Sequence, residues 1–560
     1  MTERIALPWT SRSLAAIPAT TAARSTLAVA SAAVSAGLVA IVWRFLTFSG
    51  FNNDHYVHLA RAQQILLGEW PVRDFVDAGM PLMYVVHAAA RAVLGPALGV
   101  EWAVVAAAFA VGAACTLVAA NRLSGSLVVA VLAAAFEVAI YPRTFGYPKV
   151  LLYAAAALVI MSVARRFTPR TLLAAALMTV VAFLFRHDHG MFIGTASLTA
   201  TIVGSRHEGW RTASRRSAAL LAAVVLLLLP WLLFVQVHQG LVAYIASGIS
   251  ASEGEAVGNA LREIPRFRFE ELGGGRNALT WLFYVFHALP LVCVGVLIRR
   301  RSEAEAWPGE TTVVAALAAL AIPVNVTFMR GNLDGRVPDA IVPAALLGSW
   351  LLGLVLRRVA RRIPAMIAAA AVVTITAWAI VRVGDVKDNL EKTELLRGPS
   401  IVRLRAEDLW DRFHRRVPER DHVPSRYALA LLPFMDYVNR CTAAQDRLLV
   451  TGLFPEINVI ADRGFAGGHG SFRPYFYTSA ADQAQTVARL QNQSVPFVVS
   501  TRRWYPELKA QMGTLFAYLE QRFEPFVHVP VPETDGVDLL IERGRGATRV
   551  DAATGWPCFQ

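Results

Sequence analysis

Carboxylates that follow apolar stretches are the residues of this chain best suited to acid–base chemistry. Asp54 comes a few residues after the first apolar stretch, in the sequence Phe-Asn-Asn-Asp-His-Tyr. An ionised carboxylate in this position can take a proton from a hydroxyl group as a general base. It can also cap the helix that follows, by accepting hydrogen bonds from free backbone N–H groups. Asp74 and Asp188 lie in similar gaps between apolar stretches and are the next candidates for the base.

Basic residues occupy the same gaps as these acids. Arginine can bind a phosphate group through two parallel hydrogen bonds, and lysine offers it a compact positive charge. At a membrane surface the same side chains can instead extend towards lipid headgroups, and a turn of alternating charge can pair within itself. The candidate substrate-binding residues in these gaps are Arg143, Lys149, Arg186, Arg330, Asp334 and Arg336.

Two histidines flank one of the candidate acids, in the sequence Phe-Arg-His-Asp-His-Gly at 185–190. Nitrogen and oxygen ligands at such spacing can hold a divalent metal, although plain polar connectors have the same composition. The sequence therefore assigns no cofactor and leaves a divalent metal possible.

The composition identifies the kind of element that must position these residues. The 560 residues are 55% hydrophobic and 17% charged, with a mean hydropathy of +0.45, which is typical of a polytopic membrane protein. The formal charge of +13 does not indicate nucleic-acid binding, because most of the excess is arginine in short gaps between apolar stretches. The predicted membrane spans, about eleven, are 27–46, 99–120, 125–141, 149–164, 171–185, 191–205, 217–235, 278–298, 311–328, 340–356 and 363–382.

Arginine clusters stand at every second gap between these spans. Short basic loops usually remain in the cytoplasm. The clusters fall around Arg122, Arg165, Arg215, Arg300 and Arg357, so the pattern predicts a cytoplasmic N-terminus and a C-terminus outside. The candidate acids and cations then gather on the outer face of the inner (plasma) membrane.

Three segments are predicted to lie outside the bilayer. Residues 1–383 form the membrane module, in which the outer loops 47–98 and 236–277 are long enough to contain helices at the membrane surface. Residues 384–560 are predicted to form an extracytoplasmic α/β domain. Short apolar runs predict strands at 448–451, 497–500, 526–531 and 537–541, and the remaining pattern predicts helices at 401–416, 424–440, 479–492 and 505–522. Cys441 and Cys558 both fall in this domain, and we predict that they form a disulfide in an oxidising compartment.

The first outer loop follows the pattern D-x-Y-x-x-x-A-x(7)-G-x(5)-D-x(6)-P-L from Asp54 to Leu82. This resembles the first outer loop of the GT-C glycosyltransferases, related in layout to the protein mannosyltransferase, aminoarabinose transferase and mycobacterial arabinofuranosyltransferase families. The segment from Pro455 to Arg463 also resembles a P-x-I-Y-x-x-A-x-R element of their outer domains, with Asn458 in place of tyrosine. Many members have paired acids in the first loop, whereas this chain has Asp54-His55.

The resemblance implies a function and its partners. It implies a polytopic enzyme that moves a sugar from a polyprenyl-phosphate donor to a cell-wall glycan, glycolipid or protein acceptor, with Asp54 as the general base. A transporter or flippase of lipid-linked saccharide is the alternative, although transporters usually show internal repeats and mid-membrane charges. A third possible function is that of a structural or sensing protein whose outer domain binds cell-wall glycan.

Overall fold

The structure is a computed structural model that describes residues 19–143, 148–259, 264–271, 273–301, 303, 305, 307–329, 333–357, 363–503 and 505–560. The part before Gly384 is helical. Its helices are α1 (Ala19–Leu46), α2 (Asn53–Leu66), α3 (Pro81–Leu94), α4 (Gly99–Ser124), α5 (Leu127–Ala139), α6 (Lys149–Arg165), α7 (Pro169–Phe185), α8 (His187–Ser205), α9 (Trp210–His238), α10 (Leu241–Asn259), α11 (Gly275–Arg299), α12 (Glu310–Phe328), α13 (Leu333–Arg336), α14 (Ile341–Arg357) and α15 (Ile363–Val383). Single 3-10 turns lie at 206–208, 269–271 and 337–340.

Each predicted span falls on one helix, namely α1, α4–α9, α11, α12, α14 or α15. Within the described ranges, seven helical segments are long and apolar enough to cross a membrane: Thr26–Leu46, Gly99–Ser124, Trp210–His238, Gly275–Arg299, Glu310–Thr327, Leu333–Arg357 and Ile363–Val383. The prediction of a polytopic helical protein is therefore confirmed. The count of eleven crossings stays a prediction, because α5, with 13 residues, covers only about 20 Å of a bilayer core about 30 Å thick.

Small residues allow the helices to pack closely around α4. A Cβ added at Gly112 of α4 would lie 2.8 Å from the Val150 side chain and 2.9 Å from the Leu151 backbone nitrogen of α6. A Cβ at Gly353 of α14 would lie 2.6 Å from the Ser124 backbone. Close backbone approach of this kind is the usual way in which helices associate in lipid.

The contacts between helix ends fall into two groups. At one end Arg357 Nη1 donates to the Ser124 carbonyl (3.4 Å), and Arg300 lies 3.4 Å from Glu310. At the other end Asp339 contacts Lys149, which begins α6, and the backbone of Gly384 touches that of Ala139. The second end, called the site end below, carries the candidate acids and cations.

After α15 the chain forms the predicted α/β region. Its helices are α16 (Val386–Lys392), α17 (Pro399–His414), α18 (Arg426–Ala430), α19 (Leu432–Cys441), α20 (Pro455–Ile460), α21 (Ala480–Gln491), α22 (Tyr505–Gln511) and α23 (Gly513–Arg522). Its strands are β1 (Arg447–Val450), β2 (Gly464–Phe465), β3 (Phe497–Thr501), β4 (Phe523–Val529), β5 (Val537–Glu542), β6 (Arg549–Val550) and β7 (Pro557–Cys558).

A five-stranded mixed sheet with the order β2-β1-β3-β5-β4 forms the centre of this region. β1 is parallel to β2 and β3, with Leu449 opposite Val498, whereas β5 is antiparallel to both β3 and β4. Cys441 at the end of α19 and Cys558 in β7 form a disulfide. This bond holds the C-terminal hairpin of β6 and β7 against α19.

The α/β region docks on the first outer loop through its edge strand. Gln64 of α2 accepts from the Phe465 N–H and donates to the Phe465 carbonyl, each at 3.1 Å, and so imitates a neighbouring strand. Arg447 lies 2.8 Å from Glu69, and the Val76 N–H donates to the Gly468 carbonyl at 2.9 Å. The glycine-rich segment 464–470 is therefore part of an interface with the helical module.

Candidate functional site

Asp54 lies in the first turn of α2 with its carboxylate exposed. The capping role belongs to Asn52, whose side-chain oxygen accepts from the N–H groups of Asp54 (3.1 Å) and His55 (3.3 Å). Within the part of the chain that the structure describes, the Asp54 carboxylate makes no hydrogen bond or ion pair. Asp54 is therefore available to a ligand and is not needed to complete the helix end.

Buried polar contacts hold the start of α2 against α4. His55 Nδ1 is hydrogen-bonded to a carboxylate oxygen of Glu101, the fully buried acid in the first turn of α4. His87 Nε2 of α3 lies 3.8 Å from the other oxygen of Glu101. On the opposite side, Asn53 donates to the Leu453 carbonyl at 3.2 Å. Asp54 thus projects from a turn that is held by α4 and by the segment at Leu453.

Two of the predicted cations share one carboxylate that the sequence did not single out. Asp339 Oδ2 lies 2.7 Å from Lys149 Nζ and accepts from Arg143 Nε at 3.1 Å, while Asp339 Oδ1 accepts from the Arg143 N–H at 3.2 Å. The Lys149 side chain is only 3% exposed, whereas that of Arg143 is 30% exposed. Lys149 therefore keeps its charge inside the protein because a carboxylate compensates it.

The predicted residues Arg186 and Asp188 form a second ion pair, with Arg186 Nε 2.9 Å from Asp188 Oδ1. His189 interacts electrostatically with both of them and also with Lys149 and Asp339. The two ion-paired groups therefore lie in one neighbourhood, called here the cation cluster: Arg143, Lys149, Arg186, Asp188 and Asp339. The cluster thus brings together three cations and two carboxylates.

The cation cluster is adjacent to the helix that carries Asp54. Burial lowers the pKa of His58 in α2 well below its usual value, and the nearby charges of His87, Arg61, His55 and Arg186 lower it further. Arg186 therefore lies within electrostatic reach of α2.

The two histidines around Asp188 have different partners. The His189 ring is hydrogen-bonded to the Tyr153 hydroxyl. His187 Nδ1 bonds to the Phe183 carbonyl (2.8 Å) and Nε2 to the Tyr244 hydroxyl (2.7 Å). Across the described ranges, the one group of metal-type ligand atoms close enough to share an ion contains the disulfide-bonded Cys441 and Cys558. This geometry does not support a metal site between His187 and His189.

Asp74 is placed differently from Asp54 and Asp188. Its Oδ2 accepts from the Trp70 N–H and from Arg73 Nε, both at 2.7 Å, so the carboxylate closes its own turn. Its neighbour Asp77, which the sequence did not mark as a site residue, connects distant segments instead. Asp77 Oδ1 accepts from the N–H groups of Gly79 (3.0 Å) and Met80 (2.9 Å), and Oδ2 accepts from the Tyr244 hydroxyl at 2.5 Å.

Asp77, Tyr244 and His187 together form a chain of hydrogen bonds, called here the strut. It joins the first outer loop, α10 of the second outer loop and the junction of α7 with α8. In the sequence, the Asp-Ala-Gly turn at Asp77 was the signal that could have drawn attention to this carboxylate. The sequence did not indicate that Asp77 would form a hydrogen bond with Tyr244, which lies 167 positions later.

The remaining predicted residues lie around the short helix α13. Asp334 is exposed and Arg336 is half-buried. Gly335 packs against the Arg143 side chain, with a Cβ there 3.8 Å from Arg143 Cδ, so α13 borders the cation cluster. Arg330 lies outside the described residues.

Comparison with solved structures finds a similarity over most of the chain. No protein-family model matches the sequence, and no curated protein matches it. The chain is similar to ArnT. The structure in question is a crystal structure of ArnT from Cupriavidus metallidurans bound to undecaprenyl phosphate; the match covers 93% of this chain and 98% of that one, with 14% identity and a TM-score of 0.49. Similarity at this level assigns no role to individual residues.

Proposed function

We propose that this protein is an integral-membrane glycosyltransferase of the GT-C type, which transfers a sugar from a polyprenyl-phosphate donor to an extracytoplasmic acceptor. One observation carries the proposal: the exposed carboxylate of Asp54 begins a helix that lies within electrostatic reach of Arg186, a member of the cation cluster. Such a transfer needs a general base for the acceptor and cations for the leaving phosphate. The first-loop pattern from Asp54 to Leu82 supports the same assignment.

The proposed reaction is a single displacement. Asp54 takes the proton from an acceptor hydroxyl while that oxygen forms a bond to the anomeric carbon of the donor sugar. The bond between the anomeric carbon and the phosphate oxygen breaks, and the electron pair leaves with the polyprenyl phosphate. Attack opposite the leaving group inverts the anomeric centre.

The cation cluster would bind the leaving phosphate. Arg143, Lys149 and Arg186 supply positive charge, and α6 and α8 begin at Lys149 and His187 in the same region. Helix N-termini of this kind favour anions. Asp334 and Arg336 of α13, and Arg330 beyond the described residues, would border the donor.

The membrane arrangement follows from the same proposal. The protein would lie in the inner (plasma) membrane as a multi-pass protein with a cytoplasmic N-terminus. The site end and the α/β region from residue 384 onwards would face the extracytoplasmic side, where lipid-linked donors present their sugars. The acceptor would be a cell-wall glycan, a glycolipid or a protein.

The decisive experiment measures whether the donor bond is broken. The full-length protein is reconstituted in proteoliposomes with a polyprenyl-phosphate sugar and a membrane extract that contains acceptors. A transferase releases free polyprenyl phosphate together with a glycosylated acceptor. Movement of intact lipid-linked sugar across the bilayer, without release of polyprenyl phosphate, would instead identify the flippase alternative.

A further inference from the structure

Three parts of the chain meet beside the strut around a loop of aromatic residues. The aromatic loop, Tyr475, Phe476 and Tyr477, lies in the α/β region before α21. Its Tyr475 carbonyl oxygen is packed against α10, where a Cβ added at Gly254 would lie 2.4 Å from it. The Tyr475 N–H donates to Gln511 at 2.6 Å. The loop is therefore held from both sides.

The backbone of the aromatic loop is strained. Tyr475 and Tyr477 have φ values of 70° and 55°, a region that residues with a side chain rarely adopt. Such conformations are unfavourable and are found mainly at binding and catalytic sites. Tyr475 is also 48% exposed, although core packing usually buries a side chain of this size.

Two arginine side chains lie close to aromatic rings in this region. Arg473 Cζ lies 4.1 Å from the centre of the Phe476 ring, and Arg61 Cζ of α2 lies 5.2 Å from the centre of the Tyr84 ring. Burial raises the pKa of Tyr477 to about 12, and Arg61, Asp77 and Arg473 are the nearest charges that act on it. Arg61 and Arg473 therefore approach the same tyrosine from different parts of the chain.

Arg61 and Asp54 lie on the same side of α2. They are seven residues apart, which is about two helical turns and about 10 Å along the axis. The side chains at Asp54, Val57 and Arg61 form the partly exposed face of the helix, whereas those at His55, His58 and Leu59 are buried. A ligand that reaches Asp54 can thus extend along α2 to Arg61 and the aromatic loop.

We propose that the aromatic loop, with Arg61 and Arg473, is a carbohydrate subsite that holds the acceptor. Aromatic rings stack on the apolar faces of sugars, and guanidinium groups donate to their hydroxyl or acidic groups. The identification of this sugar as the acceptor rests on the proposed transferase function. The binding of carbohydrate itself does not depend on it.

Photocrosslinking in native membranes tests the subsite with the cell's own glycans. The full-length chain carries p-benzoylphenylalanine at Tyr475 or, in a second variant, at Phe476, and the irradiated protein is analysed for covalently attached carbohydrate by mass spectrometry. The matched control places the same group at Tyr505, an aromatic position that begins α22. We expect carbohydrate adducts at both loop positions and not at the control.

The variants Arg61→Gln and Arg473→Gln complete the test. Each should lower the adduct yield about tenfold or more, because each removes a charge-assisted hydrogen bond. Both should retain binding of undecaprenyl phosphate, which measures the donor site and the fold independently. A loop without carbohydrate adducts, or with as many as Tyr505, overturns the subsite. Adducts in a protein that fails to cleave the donor would uphold the subsite while overturning the transferase.

Discussion

The candidate base and the cation cluster differ in how their charges are balanced. The Asp54 carboxylate is exposed, and within the described residues it has no hydrogen-bonding partner. Lys149 and Arg143 lie against Asp339, and Arg186 lies against Asp188. A base must meet its substrate directly, whereas buried cations require internal carboxylates to keep them charged. A bound phosphate would therefore compete with Asp339 and Asp188 for these cations.

The proposed function requires that Asp54 and the cation cluster lie on the same face of the membrane. We expect reporter fusions at Arg215 and Arg300 to show cytoplasmic activity, and fusions at Asp334 and Gly546 to show external activity. The contrast should be complete, because each reporter works on only one side. Cytoplasmic activity of the Gly546 fusion would separate the α/β region from the outer face.

The next largest effect is expected at Asp54. Asp54→Asn keeps the size of the side chain and removes its basicity, so transfer should fall by about 10²–10⁴ with no change in thermal stability. Asp74→Asn is the matched control, since that carboxylate closes its own turn; it should affect stability more than transfer. Near-normal transfer by the Asp54→Asn protein would exclude Asp54 as the base.

Lys149 provides the corresponding test of the cation cluster. Lys149→Gln should weaken undecaprenyl phosphate binding by about 2–5 kcal/mol, the usual cost of removing one member of a buried charge pair. Lys387→Gln removes an exposed lysine whose nearest acid, Glu391, is 3.9 Å away, and should leave binding unchanged. Equal affinities in the two variants would mean that Lys149 only neutralises Asp339.

Among the residues that the structure describes, the disulfide between Cys441 and Cys558 contacts neither Asp54 nor the cation cluster. Its removal therefore tests whether the stability of the protein can be changed without changing substrate binding. Cys441→Ser should lower the stability of the α/β region by roughly 2–4 kcal/mol and leave undecaprenyl phosphate binding intact. Thiol labelling of the wild type under denaturing, non-reducing conditions should modify neither Cys441 nor Cys558. Ready labelling of both in fresh membranes would contradict the pairing.

The smallest effect concerns the support of the Asp54 helix. Burial raises the pKa of Glu456 in α20 to about 7, and its charge acts on Tyr56 of α2. The folded state therefore holds a proton that the unfolded chain releases near pH 4.5. The stability contributed by this group is complete below that pH and is lost as the pH rises through about 7.

Glu456→Gln should remove this dependence, because the amide does not titrate over this range. Thermal unfolding of the variant and the wild type should give the same difference at every pH below about 4.5. As the pH rises to 7.5, the difference should move steadily in favour of the variant. A constant difference across the whole range would show that Glu456 is ionised in the folded protein.

Periodic features of the sequence predicted the architecture well. Apolar length and alternating arginine clusters located the helices, and short apolar runs located β1, β3, β4 and β5. The two-residue strand β2 was missed because its edge is completed by Gln64, 401 positions away. The predicted helix over 424–440 is divided into α18 and α19, and that over 505–522 into α22 and α23.

The contacts within the candidate site could be foreseen from the sequence only in part, for the same physical reason. Asp54 could be located because it follows a span and begins a recognisable loop pattern. Asp339 and Asp77 could not be assigned, since their importance depends on partners that only the folded chain brings close. The distinction between Asp54 and Asp74 also depended on the structure, because both are acids after apolar stretches and only their hydrogen bonds differ.

The strut fastens α10 through a single oxygen atom. The Tyr244 hydroxyl donates to Asp77 Oδ2 at 2.5 Å and lies 2.7 Å from His187 Nε2. Through this one group the second outer loop is joined both to the first outer loop and to the junction of α7 with α8. Loss of that hydroxyl would therefore break both connections together.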